Sequence, residues 1–192
     1  MSNSPHIIKS TILSDNRYLL KEVTVTYTEP NGEKHTTTRE VYERGDAAAA
    51  VLYNQTTGMV VLVNQFRLPT FLNGNPNGML KEICAGMLDG ETPETCARRE
   101  ITEETGYVVK DIYPAGDIYV SPAGCTERIY LFTAPYTPDM KTSSGGGLKE
   151  EQEYIAIEEV AYEEALHLIA QGKIKDAKTI TLLYHLRIHG LM

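Results

Sequence analysis

Two apolar runs constrain this chain more than any other feature. Ala47 to Tyr53 reads Ala-Ala-Ala-Ala-Val-Leu-Tyr, and Val60 to Phe66 reads Val-Val-Leu-Val-Asn-Gln-Phe, with a Thr-Thr-Gly turn between them. A strand with one wet face alternates apolar and polar residues. A near-continuous apolar run requires cover on both faces. The pair therefore predicts buried central strands of a sheet. With 192 residues, that sheet fits one domain plus a small appendage.

The appendage precedes the runs. Leu19 to Tyr27 is rich in β-branched residues, Pro30-Asn31-Gly32 is a turn signal, and Lys34 to Tyr42 resumes as a polar, threonine-rich strand. A polar hairpin with a thin apolar face is marginal alone, so it should pack on another sheet, in its own chain or in a partner chain. The expected division is residues 1–45 as a small β subdomain and 46–192 as the main domain. Within the main domain, Lys81–Cys84, Tyr113–Tyr119 and Glu127–Pro135 read as strands. Leu68–Gly78 and the Ser143-Ser-Gly-Gly-Gly147 stretch read as loops, the latter flexible by composition. Tyr162–Gln171 and Thr179–Ile188 have helical spacing.

Pro93 to Thr105 reads as a helix. Thr92 can cap it, Pro93 suits its first position, Glu94 complements the dipole, and Gly106 can end it in the left-handed conformation. On this helix Glu100, Glu103 and Glu104 fall at i, i+3 and i+4, on one face. Like charges so placed oppose the helix by roughly 0.2–0.5 kcal/mol per pair. A bare acidic cluster reads first as a solvated face. Bound Mg²⁺, or Mn²⁺, would turn the repulsion into ligation, neutralise diphosphate charge and activate a water. Arg99 could orient one of these carboxylates through a bidentate pair.

The context selects the second reading. Ala85-Gly86-Met87-Leu88-Asp89-Gly90-Glu91, seven residues, then Arg99-Glu100-Ile101-Thr102-Glu103-Glu104-Thr105-Gly106-Tyr107 closely resembles the Nudix box. The Arg-Glu-apolar-any-Glu-Glu-any-Gly part alone arises by chance with odds on the order of 10⁻⁴ or less. The stretch between Gly86 and Glu91 holds four residues where the family pattern has five. The resemblance implies an α/β/α sandwich with a mixed sheet and hydrolysis of a nucleoside diphosphate linked to another moiety. It also implies metal ligation by Glu100, Glu104 and the Ala85 carbonyl, with Glu103 ligating or assisting a water.

Further along the chain stand Leu13-Ser14-Asp15-Asn16, Arg39-Glu40-Val41, Gln65-Phe66-Arg67, Ser121-Pro122-Ala123-Gly124, Glu127, Gly145-Gly146-Gly147 and Asp176-Ala177-Lys178-Thr179. That order is similar to the dimeric branch of the family that holds ADP-ribose and GDP-mannose pyrophosphatases, with the opening and the triple glycine closer to the GDP-mannose side. The similarity implies a homodimer that exchanges its N-terminal strands. It implies ligand contacts from Thr38, Arg39, Glu40, Arg67, Gly86, Met87, Glu127, Glu150 and Asp176, the arginines at phosphate and Glu127 and Asp176 at the sugar side or the site wall. Glu151, just past the glycines, is the candidate additional metal ligand or general base, with Glu150 and Glu153 as neighbours that could replace it. Arg17 occupies the place where an aromatic residue would stack on guanine; a guanidinium can also stack on a base.

The expected reaction is hydrolysis of a nucleoside diphosphate sugar, GDP-mannose giving GMP and mannose 1-phosphate. The alternatives are ADP-ribose hydrolysis and a nucleotide sensor without catalysis. A net charge of −8 argues against nucleic acid as a partner. No run reaches the ~20 apolar residues of a membrane span. The three cysteines Cys84, Cys96 and Cys125 form no CxxC, so reduced thiols and a cytoplasmic location are expected. His185 and His189, at i and i+4, could pair on a metal, but read first as surface residues at a helix C-terminus.

Overall fold

The computed structural model describes residues 4–148, 150 and 153–192. They form two compact units, one built from the chain up to Asp46 together with Tyr119–Arg128, the other from Ala47–Ile118 and Ile129–Met192.

The first unit is a three-stranded antiparallel sheet in the order β1 (His6–Asp15), β2 (Leu19–Thr28), β3 (Lys34–Glu43). The expected hairpin is β2–β3, in register from Leu19 opposite Glu43 to Thr28 opposite Lys34. The Thr24–Thr38 and Thr26–Thr36 hydroxyl pairs lie across it at 3.0 and 2.8 Å. Strand β1 is an addition to the sequence-based expectation. The segment 121–126 joins this unit as a tight loop, with Tyr42 N–H donating to Gly124 O and Thr126 N–H to Tyr42 O.

The second unit is a mixed sheet of seven strands. Its path is β10 (Ala156–Ala161), β5 (Met59–Phe66), β4 (Ala47–Asn54), β9 (Arg128–Pro135), β8 (Tyr113–Tyr119), with β6 (Met79–Glu82) on β5 and β7 (Cys84–Met87) on β4. β4 and β9 run parallel; β4–β5, β4–β7, β5–β6 and β5–β10 are antiparallel. Every residue of β4 is buried, as the apolar run requires. Helices α2 (Pro93–Glu100) and α4 (Ala177–Ile188) both pack on β4. Ala48, Ala50 and Leu52 meet Cys96, Ala97 and Ile101 in one core with Tyr107, Phe132 and Tyr136. Leu182, Leu183 and Leu186 bury the inner face of α4.

The elements depart from the sequence reading in four places. The strand expected at Lys81–Cys84 is two strands parted at buried Ile83. The loop 68–78 opens with a short helix, α1 (Leu68–Leu72). β10, interrupted by two glutamates, gave no clear strand pattern but pairs along β5, and is followed by α3 (Tyr162–Ala170). Finally, α2 passes at Ile101–Thr105 into a π turn. Thr102 and Thr105 donate their hydroxyls to the carbonyls of Arg98 (3.0 Å) and Ile101 (2.5 Å). Such back-bonding competes for helix carbonyls and bends helices; wide turns of this kind recur at functional sites.

Candidate active site

The site is built where β7 enters α2. Thr92 caps α2, accepting from Thr95 N–H at 3.3 Å, and Pro93 opens it. Between β7 and the cap, Leu88–Glu91 closes a tight turn: Glu91 N–H donates to Leu88 O at 2.7 Å, with Asp89 and Gly90 both at positive φ. Gly86 remains pressed against the following helix, where a Cβ would overlap the Glu100 carboxylate.

Arg99 organises the acids. Its Nε donates to Glu91 at 2.9 Å, its Nη1 to Glu100 at 2.7 Å and Glu103 at 2.9 Å, and its Nη2 to the Met87 carbonyl at 3.2 Å. The expected bidentate pair with one carboxylate is thus a shared clamp on three. One fork serves three acids that crowd the same turn. Burial alone would lower the Arg99 pKa, but the three carboxylates raise it.

Glu100 and Glu104 are buried, the latter 1% exposed. Burial pushes Glu100 up to about 7, against the pull of Arg99, with Glu103 and Glu153 adding to the rise. Glu104 is raised well above the usual carboxylate range by burial, then by the charges of Glu100 and Glu153. Its Oε2 is fully enclosed and has no hydrogen-bond partner among the described residues. A buried carboxylate oxygen without a donor is costly, and an oxygen-seeking divalent cation is the partner that would remove the cost. The donor set therefore fits such an ion. The acids are not preassembled on a point, however: among the described residues, the one group of three ligand atoms within 4.8 Å of one another is Glu29, Glu33 and His35 at the β2–β3 turn. There His35 Nε2 lies 3.6 and 3.8 Å from the two carboxylates.

The glycine run is ordered by the π turn. Gly146 N–H donates to Glu104 O at 2.9 Å and Gly147 N–H to Glu103 O at 3.1 Å. Gly145, Gly146 and Gly147 all have positive φ, and a Cβ on Gly145 would stand 2.6 Å from Glu104 O. The flexibility expected from composition is thus replaced by a strap along the turn that carries the acids. Beyond it Glu153 accepts from Leu148 N–H at 3.2 Å. Glu150 is exposed, and Glu151 lies outside the described residues.

Arg67, at the end of β5, donates its Nε to Glu82 at 2.7 Å. Glu82 also accepts from Lys178 Nζ at 2.6 Å, and Lys178 donates to Asp176 at 2.9 Å. Asp176 caps α4, accepting from Thr179 N–H at 2.9 Å. Ala85 lies in β7 opposite Ala49, with Gly86 opposite Ala48 and Met87 opposite Ala47.

Ala85, Gly86, Met87, Glu100, Glu103, Glu104, Arg67 and Asp176 therefore share the second unit. Arg17, Thr38, Arg39, Glu40 and Glu127 belong to the first. There Arg17 lies 5.6 Å over the Tyr18 ring, Arg39 Nη1 donates to Thr38 O at 2.9 Å, Glu40 faces Glu22 across β2–β3, and buried Glu127 pairs with Arg44 at 3.5 Å. Sequence reading passed over Glu82, and it quoted Glu91 and Lys178 within motifs without giving them a role. A signal existed for Lys178: a lysine in the first turn of a helix opposes the dipole and calls for an acidic partner.

Comparison with known proteins agrees with this geometry. The model described as NUDIX domain matches residues 43–183, and that described as GDP-mannose pyrophosphatase NudK N-terminal domain matches residues 6–42. The GDP-mannose pyrophosphatase of Enterobacter sp. (strain 638) is 45% identical over 192 residues, covering all of both chains. That of Yersinia enterocolitica is 47% identical over 185 residues, covering 96% of each. A solved structure, "Crystal structure of ADP compounds hydrolase", superposes with TM-score 0.71 at 17% identity, over 95% of this chain and 92% of the other; at that identity it speaks for the fold. With a family model across most of its length and an acid-bearing helix of the matching form, the chain belongs to the Nudix hydrolase family.

Proposed function

We propose that this chain hydrolyses GDP-mannose to GMP and mannose 1-phosphate. The observation that carries the reading is full-length identity of about 45% to GDP-mannose pyrophosphatases, with the N-terminal sheet included in the match. Glu100, Glu104 and the Ala85 carbonyl would hold Mg²⁺ or Mn²⁺, supported by the unpartnered Glu104 Oε2. When bound, the ion supplies charge neutralisation and Lewis acidity at the diphosphate.

The chain's own groups do the rest. Arg67 and Arg39 bind phosphate oxygens, and the Gly86–Met87 backbone lines the diphosphate. Arg17 stacks on the base; Thr38, Glu40, Glu127, Glu150 and Asp176 contact the ligand, Glu127 and Asp176 on the sugar side. Water attacks one phosphorus, the bridging P–O bond breaks, and the departing phosphate takes the electron pair. A carboxylate, Glu151 in this reading, accepts the water's proton. Glu103, clamped by Arg99, assists from the helix.

The functional unit is a homodimer that exchanges N-terminal strands. Exposed Ile7, Ile8, Ile12 and Leu13 on β1 support this, because a cluster of bare apolar side chains on one strand calls for cover. The three free thiols favour a reducing compartment. Incubation with Mg²⁺ and a panel of nucleoside diphosphate sugars, with products identified by mass, should give GMP and mannose 1-phosphate at the highest kcat/KM. A preference for ADP-ribose would replace the substrate, and turnover of none would leave a binding protein.

A further inference from the structure

Lys178 is a cation in an unfavourable place. It sits in the first turn of α4, at the positive end of the helix dipole, and is 7% exposed. Burying an ammonium there requires close partners. It has two: Glu82 Oε1 at 2.6 Å and the capping Asp176 at 2.9 Å. The cap itself is tied to the sheet, since Thr179 Oγ1 donates to Asp176 at 2.6 Å and accepts from Ile83 N–H at 2.9 Å.

The consequence falls on Arg67. Glu82 is buried and divides its oxygens: Oε1 receives Lys178 and Oε2 receives Arg67 Nε. The Arg67 side chain is 38% exposed, and it acts electrostatically on Glu104.

We propose that Lys178 and Glu82 are positioning residues for Arg67. By holding one oxygen of Glu82, Lys178 fixes the acid whose other oxygen holds Arg67 Nε, so that the partly exposed guanidinium is presented to a phosphate of the substrate. This rests on the reading of Arg67 as a phosphate ligand. In Lys178→Met, Glu82 loses that anchor and its hold on Arg67 loosens.

Two readouts test it on the full-length protein: affinity for GDP in EDTA by calorimetry, and kcat and KM for GDP-mannose with Mg²⁺. Lys178→Met is expected to weaken GDP roughly tenfold, the scale of one charge-assisted hydrogen bond, and to raise KM more than it lowers kcat. Arg67→Ala should do the same, and Lys178→Met/Arg67→Ala should be no weaker than Arg67→Ala, because the two act through one contact. Lys178→Arg should retain wild-type affinity. If Lys178→Met unfolds before titration, Glu82→Gln carries the same cycle.

Wild-type GDP affinity in Lys178→Met alongside a weak Arg67→Ala, or additive losses in the double variant, would overturn the positioning role and leave Arg67 as a ligand. Wild-type affinity in Arg67→Ala would remove Arg67 from the site, and the positioning role with it.

Discussion

Glu104 joins two properties that pull apart. It is enclosed in the protein and lacks a donor on Oε2, so its charge weakens the fold where no cation answers it. Glu104→Gln removes that charge at constant shape. It should lower kcat by at least about 100-fold, since losing even an outer partner of a metal site costs ~10–100-fold, while raising the melting temperature of the metal-free protein. Equal activity would withdraw Glu104 from the metal set. The pH dependence follows from the same burial. Glu100 rises from the usual 4.5 to about 7, and Glu104 is raised well above the usual carboxylate range. Between those values the folded protein holds protons that the unfolded chain has released. Stability in EDTA is then greatest below pH ~4.5 as far as these groups are concerned, and falls as pH rises through about 7. A melting series across that range should show the decline, and Glu104→Gln should flatten it. These glutamates were legible in the sequence because the motif fixes their identity and spacing. Glu82 and Lys178 were not, being 96 residues apart in a pair that only the folded sheet and helix bring together.

The helix carrying the acids depends on elements at both its ends. At the N-terminus Thr92 provides an ordinary cap, and Thr92→Ala should cost about 1 kcal/mol without altering kcat of the folded protein. At the other end Gly145 holds a left-handed conformation against the Glu104 carbonyl. Gly145→Ala should cost at least about 1–2 kcal/mol, or roughly 2–8 °C in melting temperature, and should also lower kcat, because relieving the contact moves the turn bearing Glu103 and Glu104. Calorimetry and steady-state kinetics on the two variants separate a loss of stability from a loss of alignment. The central strands and the caps were readable from local chemistry. The π turn was not: no proline or glycine marks 101–105, and its hydroxyl–carbonyl bonds compete with the helix only once Ile101 and Thr105 are buried. The glycine run misled for a related reason, since composition reports what a segment can do alone and not which carbonyls await it.

At the scale of the molecule, β1 presents apolar side chains with no apolar cover of their own. A dimer is therefore expected at micromolar concentration, measurable by light scattering or sedimentation. Ile8→Asp with Ile12→Asp should shift it toward monomer and reduce activity together, whereas a fully active monomer would end the exchanged-strand reading. The thin, threonine-rich hairpin led to an expectation of cover, from its own chain or from a partner; the strand with the most bare apolar groups was not foreseen, because Ile7–Leu13 mixes its apolar residues with polar ones and shows no clean alternation. The glycine strap has a consequence for observation. The amides of Gly146 and Gly147 end on the carbonyls of Glu104 and Glu103, some forty residues earlier in the chain. Glycine amides resonate in a sparsely populated part of a nitrogen–proton correlation spectrum, so these two are natural reporters of the acidic turn. Their solvent exchange should slow when Mg²⁺ is added and quicken in Gly145→Ala, giving a signal of site assembly that needs neither substrate nor turnover.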